Sequence, residues 1–172
     1  MSRNYKILAT TIFILLIFIF FSYVLFNKID EKKSDEEFSK GRVIGNLEVS
    51  VIDSENNKIK KDKIYNYLKD NKTNIIHFWA SWCSTCVKEN VSLKEYIKNK
   101  KDINLISVIF KDDISSIDFK NLKNLYNINI DDSNGFVALE FGASGVPESF
   151  IVDSNGKILK HIIGNISNGE LS

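Results

Sequence analysis

The sequence predicts an α/β domain in which helices flank a central mixed β-sheet, preceded by a single N-terminal transmembrane helix. Three observations support this prediction. An uncharged apolar run covers residues 7–26, strand and helix patterns alternate from about residue 43, and the last two strand patterns flank Asn155-Gly156. Alternating strands and helices imply parallel central strands joined by right-handed crossovers, and the final hairpin adds antiparallel strands.

The first element is the run ILATTIFILLIFIFFSYVLF at 7–26. A helix of about 20 residues is about 30 Å long, which matches the hydrocarbon thickness of a bilayer. The residues at its exit, LFNKID, contain no small-residue pattern of the kind at which signal peptides are cleaved. We therefore predict an uncleaved single-pass anchor. Basic residues stand on both sides of it, so the positive-inside rule leaves its orientation open.

The next segment, 27–42, is charged and almost free of large apolar residues, which predicts an extended tether. The compact domain is expected over 43–172. Apolar alternation and short apolar runs predict strands there, and helical spacing of apolar residues predicts helices. The predicted strands are 47–53, 58–61, 74–80, 103–110 and two arms within 148–164, and the predicted helices are 62–70, 81–101, 114–126 and 134–142. SENN at 54–57 is expected to form a turn, and Asn155-Gly156 a type I′ turn.

Charge narrows the possible functions. The chain has 23 Lys and Arg residues against 22 Asp and Glu, a formal net charge of +1. With no basic cluster besides, nothing supports nucleic-acid binding.

The two cysteines, Cys83 and Cys86, form a C-x-x-C motif between an apolar strand and a helix. Unpaired backbone N–H groups and the positive end of the helix dipole stabilise an anion at a helix N-terminus. Cys83 is therefore expected to have a lowered pKa and to be the nucleophile. Cys86, one turn further along the helix, is expected to resolve the mixed disulfide that Cys83 forms.

Three other interpretations of this motif were considered. A zinc site needs about four ligands, and only His77 and His161 could complete one. A purely structural disulfide would close too small a loop to constrain the unfolded chain much. Chance pairing of two buried thiols is the third. The position of the motif after a strand in an α/β pattern favours redox chemistry over all three, and no metal is expected.

Two segments, FWASWCSTC and GVPESFIVDSNGKI, resemble the active-site segment and the cis-proline segment of thioredoxin-like proteins. The resemblance covers about Gly45–Gly164 and implies a thioredoxin-like fold. The match is strongest to the membrane-anchored subfamily that serves cytochrome c maturation, the DsbE/CcmG type, with TlpA- and ResA-like relatives. The residues that match its W-C-x-x-C-x-x-E and G-x-P-E motifs are Trp82, Cys83, Cys86, Glu89, Gly145, Pro147 and Glu148.

The resemblance implies an extracytoplasmic thiol–disulfide oxidoreductase without a bound cofactor. Its substrate would be apocytochrome c, whose haem-attachment cysteines it keeps reduced, or another secreted thiol protein. A membrane thiol carrier would return electrons to it. This chemistry implies an anchor in the inner (cytoplasmic) membrane, with 1–6 in the cytoplasm and the domain facing the periplasm or the extracytoplasmic side.

The resemblance also assigns roles around the dithiol. Pro147 would be the cis-proline, and the Val146 backbone would pair with an extended substrate. Trp82 would cover the disulfide with an apolar surface. Glu89 would exchange a proton with Cys86, or else be one more charge on a solvated helix face. Glu148 would either line an acidic substrate groove or simply be exposed at a strand start.

The chain departs from the family in four places. Ser84 stands where proline is frequent, Val146 where alanine is frequent, and His77 where Asn or Asp is frequent. His77 is therefore either a partner of Cys86 or an ordinary sheet residue. The C-terminal helix of the family is expected to be absent or truncated after Gly164.

Two other functions remain open from the sequence. The protein could be a general reductant or oxidant of secreted proteins, because the direction of electron flow depends on its reduction potential. It could also be a redox-inactive docking module of a cytochrome maturation complex, although the presence of both cysteines argues against this.

Overall fold

The structure is a computed structural model that describes residues 3–53, 58–122 and 125–166. Two compact units are distinguished, Met1–Phe38 and Ser39–Ser172. The expected turn at 54–57 lies outside the described residues, as do residues 167–172, on which the expected loss of the C-terminal helix partly rests.

The first unit is helical. Helix α1 (Arg3–Ser39) contains Ile7–Phe26, which is long and apolar enough to cross a membrane and whose side chains are exposed. It fits the predicted single transmembrane helix. The helix continues past this run to Ser39, so most of the segment 27–42, predicted as extended, is helical instead. Glu, Lys and Asp-rich sequence of this kind is compatible with a helix that is already nucleated by the preceding turns.

The second unit is built on a mixed β-sheet. The described strands form one sheet in the order β2-β1-β5-β4-β3-β6-β7. Strands β3, β4 and β5 run parallel, and the remaining pairings are antiparallel. The strands are β1 Glu48–Ile52, β2 Ile59–Lys63, β3 Thr73–Trp79, β4 Ile103–Phe110, β5 Ile128–Asp132, β6 Glu148–Val152 and β7 Ile158–Ile163.

Helices cover both faces of this sheet. They are α2 (Ser84–Ile97), α3 (Phe119–Leu122) and α4 (Phe136–Phe141), with 3-10 turns at Ile64–Tyr67 and Ile114–Ser116. Side chains of β3 alternate between two apolar layers, as the pleat of a strand requires. Ile75 and Trp79 pack with Cys86 and Leu93 of α2, whereas Phe78 packs with Phe141 and Phe150 on the opposite face. The predicted mixed sheet flanked by helices is confirmed.

Three elements differ from the prediction. The helix expected at 62–70 is only a 3-10 turn, and the one expected at 114–126 is reduced to a 3-10 turn and α3 within the described residues. Strand β5 was not predicted, because three of its five residues are Asn or Asp, which have low strand propensity. Pairing with β4 on one side and β1 on the other stabilises β5 in spite of its composition.

The final hairpin is present, but its turn is not type I′. A type I′ turn needs positive φ at both central residues, and of the pair Asn155-Gly156 only Gly156 has it, at 78°. The Gly156 amide donates to the Asp153 carbonyl at 3.1 Å, and the Asp153 amide donates to the Lys157 carbonyl at 3.0 Å. This is a type I turn followed by a left-handed residue, the arrangement of a G1 bulge.

Candidate active site

The dithiol pair lies where strand β3 passes into helix α2. Cys83 is the N-cap of α2, and its Sγ accepts a hydrogen bond from the Cys86 amide at 3.1 Å. The two residues form a disulfide. Cys83 is half-buried, whereas Cys86 is fully buried against the sheet. An incoming sulfur can therefore approach Cys83, and Cys86 is placed behind it.

The loop that carries the single proline faces this disulfide. The Val146-Pro147 bond is cis, as predicted. The Val146 carbonyl oxygen lies 4.0 Å from Cys83 Sγ. Strand pairing explains the proximity, because Glu148 at the start of β6 pairs with Phe78 near the end of β3. The end of β3 thus lies beside the beginning of β6, and the two segments, distant in sequence, meet at the same end of these strands.

Glu89 is not on a solvated helix face. Its side chain is buried, with 3% of the residue exposed, on the side of α2 that packs against β3. Glu89 Oε1 accepts a hydrogen bond from the Ile166 amide at 2.6 Å, and Oε2 lies 3.9 Å from His77 Nε2. The carboxyl group is therefore part of the interior beneath the dithiol helix.

His77 also lies in this interior. It is on the same face of β3 as Ile75 and Trp79, and its Nδ1 forms a hydrogen bond with Ser149 Oγ at 2.8 Å. Burial disfavours the charged imidazolium and lowers the pKa of His77 to about 3, even though a carboxyl group is near. The ring is consequently neutral at neutral pH. His77 is thus bonded within the sheet through Nδ1, while its buried Nε2 faces Glu89 and has no hydrogen-bond partner among the described residues.

Tyr126 belongs to the same cluster, although nothing in the sequence singled it out. Its ring stacks between the rings of His77 and Trp79, with centroid separations of 6.2 and 6.1 Å. Its hydroxyl donates to Asn90 of α2. Burial, and secondly the charge of Glu89, raise the pKa of Tyr126 well above its usual value. The tyrosine therefore remains protonated and closes the side of the buried cluster.

The two tryptophans near the dithiol have different surroundings. Trp82 is 60% exposed, and its Nε1 donates to the Lys111 carbonyl at 3.1 Å. Trp79 is buried and donates to Ser107 Oγ at 2.7 Å, so it is a core residue. The exposed indole of Trp82, held by a loop carbonyl next to Cys83, offers a fixed apolar surface beside the disulfide.

Glu148 does not line a groove and is not exposed, which corrects the expectation for this residue. Only 1% of it is exposed. Its Oε1 accepts hydrogen bonds from the Ser144 amide, the Ser144 hydroxyl and the Gly145 amide at 3.0, 2.6 and 2.8 Å. Its Oε2 lies 2.9 Å from His161 Nε2. The carboxylate faces inward and binds the loop that precedes Pro147.

The two histidines are not brought together. His77 faces the α2 layer, and His161 stacks on Phe150 in the opposite layer, with ring centroids 4.1 Å apart. Among the described residues, no group of three or more His, Cys, Asp and Glu side chains is arranged to hold a metal ion. The arrangement instead provides one accessible sulfur, one buried sulfur, a buried carboxyl group and a backbone carbonyl opposite the disulfide.

Comparison with known proteins agrees with this arrangement. The model of the Redoxin family matches residues 48–172. The thiol:disulfide interchange protein DsbE of Vibrio cholerae is 34% identical over 95 residues, which cover 54% of this chain and 50% of that protein. The thiol:disulfide interchange protein HelX of Rhodobacter capsulatus is 35% identical over 103 residues, covering 58% and 57%. The chain thus spans about half the length of the curated relatives it matches.

Solved structures support the fold. A secreted disulfide oxidoreductase of Mycobacterium tuberculosis superposes with a TM-score of 0.58 at 17% identity, covering 74% of this chain and 92% of that one. StoA of Bacillus subtilis superposes with a TM-score of 0.51 at 23% identity, covering 73% and 92%. At these identities the likeness concerns the fold alone, and it is the thioredoxin-like fold that the sequence predicted.

Proposed function

The chain belongs to the Redoxin family, and from this premise we propose that it is a thiol–disulfide oxidoreductase that acts through Cys83 and Cys86. The observation that carries the proposal is the asymmetry of the two sulfurs. Cys83 caps a helix N-terminus and is partly accessible, whereas Cys86 is buried one turn away within disulfide distance. A thiolate at the first position gains from the unpaired amides and from the helix dipole.

The proposed reaction is a reduction by two exchange steps. The Cys83 thiolate attacks one sulfur of a substrate disulfide, and the other substrate sulfur leaves as a thiolate and takes up a proton. The Cys86 thiolate then attacks Cys83 Sγ, which releases the second substrate thiolate and forms the Cys83–Cys86 disulfide. Two electrons pass in total from the dithiol of the protein to the substrate. Of the two protons that the substrate sulfurs take up, one derives from the Cys86 thiol and the other from solvent, because Cys83 reacts as a thiolate. A second dithiol, on a membrane thiol carrier, returns the protein to its reduced form by the reverse sequence.

Three further groups are proposed to support these steps. Glu89, buried on the same helix as Cys86, takes up the proton of the Cys86 thiol when that group becomes the attacking thiolate. The Val146 carbonyl is placed to accept a hydrogen bond from an extended substrate chain, since it faces Cys83 beside the cis-proline. Trp82 contributes an exposed apolar surface to the same contact.

The proposed substrate class is a secreted protein with a C-x-x-C disulfide, specifically apocytochrome c before haem attachment. Support comes from the resemblance to the DsbE/CcmG type and from the names of the relatives, which are thiol:disulfide interchange proteins. The proposed location is the cytoplasmic membrane, with Ile7–Phe26 spanning the bilayer and the redox domain outside the cytoplasm. This location follows from the proposed substrate, because disulfides of secreted proteins form and persist in oxidising compartments.

A trapping experiment tests this function. A Cys86→Ala variant lacks the resolving thiol, so it should accumulate a mixed disulfide with an oxidised C-x-x-C-H peptide. The matched Cys83→Ala variant should trap at least about tenfold less, because its remaining sulfur is buried. Mass spectrometry of the conjugates measures both.

Measurement of the Cys83–Cys86 reduction potential against glutathione completes this test. A low potential together with selective trapping supports a reductase of apocytochrome c. A strongly oxidising potential would favour the general oxidant of secreted proteins instead. Equal trapping by the two single-cysteine variants would contradict the assigned order of attack, and no trapping by either would favour the docking module.

A further inference from the structure

Glu148 and His161 form a buried pair behind the cis-proline loop, on the face of the sheet opposite Glu89. The two side chains are 1% and 4% exposed, and Glu148 Oε2 lies 2.9 Å from His161 Nε2. Glu148 begins β6, and His161 lies in the neighbouring strand β7, where it pairs with Phe150. His161 has no part in the mechanism proposed above.

The other oxygen of Glu148 is bound entirely to the loop. Glu148 Oε1 accepts from two successive amides and from one hydroxyl, all contributed by Ser144 and Gly145. The next residue, Val146, presents its carbonyl to Cys83 Sγ at 4.0 Å. The exit of the loop is held as well, because the Gly164 amide at the end of β7 donates to the Pro147 carbonyl at 2.9 Å. The loop 144–147 is therefore held at its start by Glu148 of β6 and at its exit by the residue that follows β7.

His161 in turn fixes the carboxylate of Glu148. A buried carboxylate needs hydrogen-bond donors, and Glu148 has loop donors on one oxygen and the imidazole on the other. The imidazole is itself oriented by its stacking on Phe150 at 4.1 Å, with the two rings 13° from parallel. Phe150, His161 and Glu148 thus form a chain of contacts from the core of the sheet to the loop.

We propose that His161 and Glu148 are positioning residues that hold loop 144–147 in the conformation in which the Val146 backbone pairs with a polypeptide substrate. The proposal deepens the oxidoreductase function proposed above and rests on it. A disulfide within a polypeptide is bound through pairing of its backbone with that of Val146, whereas a small-molecule disulfide needs only access to Cys83 Sγ. Loss of the pair should therefore slow the reduction of polypeptide disulfides and leave the reduction of small ones nearly unchanged.

The test compares two substrates for the reduced full-length protein in detergent. One is a peptide with an intramolecular C-x-x-C disulfide, and the other is the linear disulfide of 2-mercaptoethanol. In His161→Leu, kcat/KM for the peptide should fall about tenfold or more, mainly through KM, while the rate with the small disulfide stays within about twofold. His161→Gln keeps an N–H donor for Glu148 Oε2 and should recover most of the peptide rate.

Asn104→Leu is the matched control for lost stability. Asn104 is buried at the start of β4, and its amide donates to the Tyr67 carbonyl and to Asn74 Oδ1, both at 2.8 Å, away from the loop. This variant should lower the midpoint of urea unfolding without changing the ratio of the reduction rates for the two substrates. A peptide-specific loss in Asn104→Leu, or an equal loss on both substrates in His161→Leu, would overturn the positioning role.

Amide hydrogen exchange separates this proposal from the redox function. In His161→Leu the Ser144 and Gly145 amides should exchange about tenfold faster than in the unmodified protein, because the carboxylate that accepts from them is no longer held. Unchanged exchange contradicts the proposal, whether or not the protein reduces disulfides. Inactivity of the unmodified protein on both substrates would overturn the redox function. The amide hydrogen exchange of Ser144 and Gly145 would still decide whether His161 and Glu148 hold the loop. If His161→Leu does not fold, Glu148→Leu, which removes the acceptor of both loop amides, is measured in its place with the same expectations.

Discussion

Each of the two histidines of the chain lies beside a buried glutamate, but on opposite faces of the sheet. His77 and Glu89 lie between β3 and α2, where Glu89 Oε2 is 3.9 Å from the ring. His161 and Glu148 lie in the other layer and are in hydrogen-bond contact. In the sequence the two glutamates are equivalent, because each is the last residue of a recognisable motif. Their surroundings separate them into a candidate proton acceptor and a loop anchor.

The lowered pKa of His77 predicts a specific loss of stability in acid. The folded protein binds this proton only near pH 3, whereas the unfolded chain binds it near pH 6.5. Stability is therefore complete above about pH 6.5 and falls by about 1.4 kcal/mol per pH unit from there toward pH 3. His77→Asn, which does not titrate, should unfold with a free energy that lacks this component. Urea unfolding followed by tryptophan fluorescence at a series of pH values measures it.

Glu89→Gln serves as the companion variant for this series. It retains His77, so the acid-dependent loss of stability should persist, while the reduction of disulfides should be slower because the proposed proton acceptor is gone. In His77→Asn the smaller side chain is expected to change the free energy of unfolding by the same amount at every pH. This change does not alter the slope of that free energy with pH. Parallel pH profiles for the unmodified protein and His77→Asn would contradict the assignment, and unchanged rates in Glu89→Gln would count against its role in proton transfer.

At the level of elements, the final hairpin illustrates how a correct local prediction can have the wrong geometry. The pair Asn155-Gly156 predicted a turn, and a turn is present, but it contains a three-residue loop with a bulge. Gly156 packs closely against a segment far away in sequence. A Cβ at this position would lie 2.6 Å from Tyr65 Oη and 2.9 Å from Ile44 Cγ1. Packing against Tyr65 therefore adds to the backbone preference of the turn.

Gly156→Ala should accordingly be more destabilising than its positive φ alone would require. Gly41 is the matched control, because its φ of 88° is also positive but no atom lies within 4 Å of an added Cβ. Gly41→Ala is expected to cost about 1–2 kcal/mol of unfolding free energy for the backbone conformation. Gly156→Ala should cost about 1–3 kcal/mol more for the steric overlap. Equal shifts of the urea midpoint in the two variants would show that Tyr65 moves away from the added Cβ without lowering the free energy of unfolding.

Strand β5 shows where prediction of elements from local pattern failed. Its sequence INIDD has few strand-forming residues, and its stability comes from ladders on both sides. The last residue, Asp132, is buried because its carboxylate accepts hydrogen bonds from the Val137 and Ala138 amides at 2.8 and 2.9 Å. Desolvation raises the pKa of this carboxyl, while these amides offset part of the rise. Such compensation depends on contacts between strand and helix that a short sequence window does not contain.

At the level of the whole molecule, the anchor and the redox chemistry together imply a topology. The proposed orientation places the N-terminus in the cytoplasm and the dithiol domain outside, where cysteines of secreted proteins are exposed to oxidation. Alkaline phosphatase fused after Ser172 should therefore be active, because this reporter folds only outside the cytoplasm. The same fusion with residues 7–26 deleted should be inactive. Activity of a cytoplasmic reporter at the same position would overturn both the orientation and the apocytochrome substrate.

Several features could be predicted from sequence because they depend on neighbouring residues. Length and lack of charge are enough to predict the span at 7–26, and the strand-to-helix context of Cys83 and Cys86 predicts a helix-capping thiol. The cis bond before Pro147 was predicted from its segment and its resemblance, and it is present. The pattern of alternating elements likewise predicted the mixed sheet.

The surroundings of the buried charges could be obtained only from the tertiary structure. Period-two alternation places His77 on the same face as Trp79, but it does not say that Glu89 and Tyr126 cover that face. Likewise, the contact between Glu148 and His161 follows from the pairing of β6 with β7 and from the path of the loop. These contacts join residues that are distant in sequence, and burial then determines which groups are charged. Spacing along the chain therefore predicted the pair of cysteines that forms the disulfide, whereas packing across the sheet decided which side chains surround it.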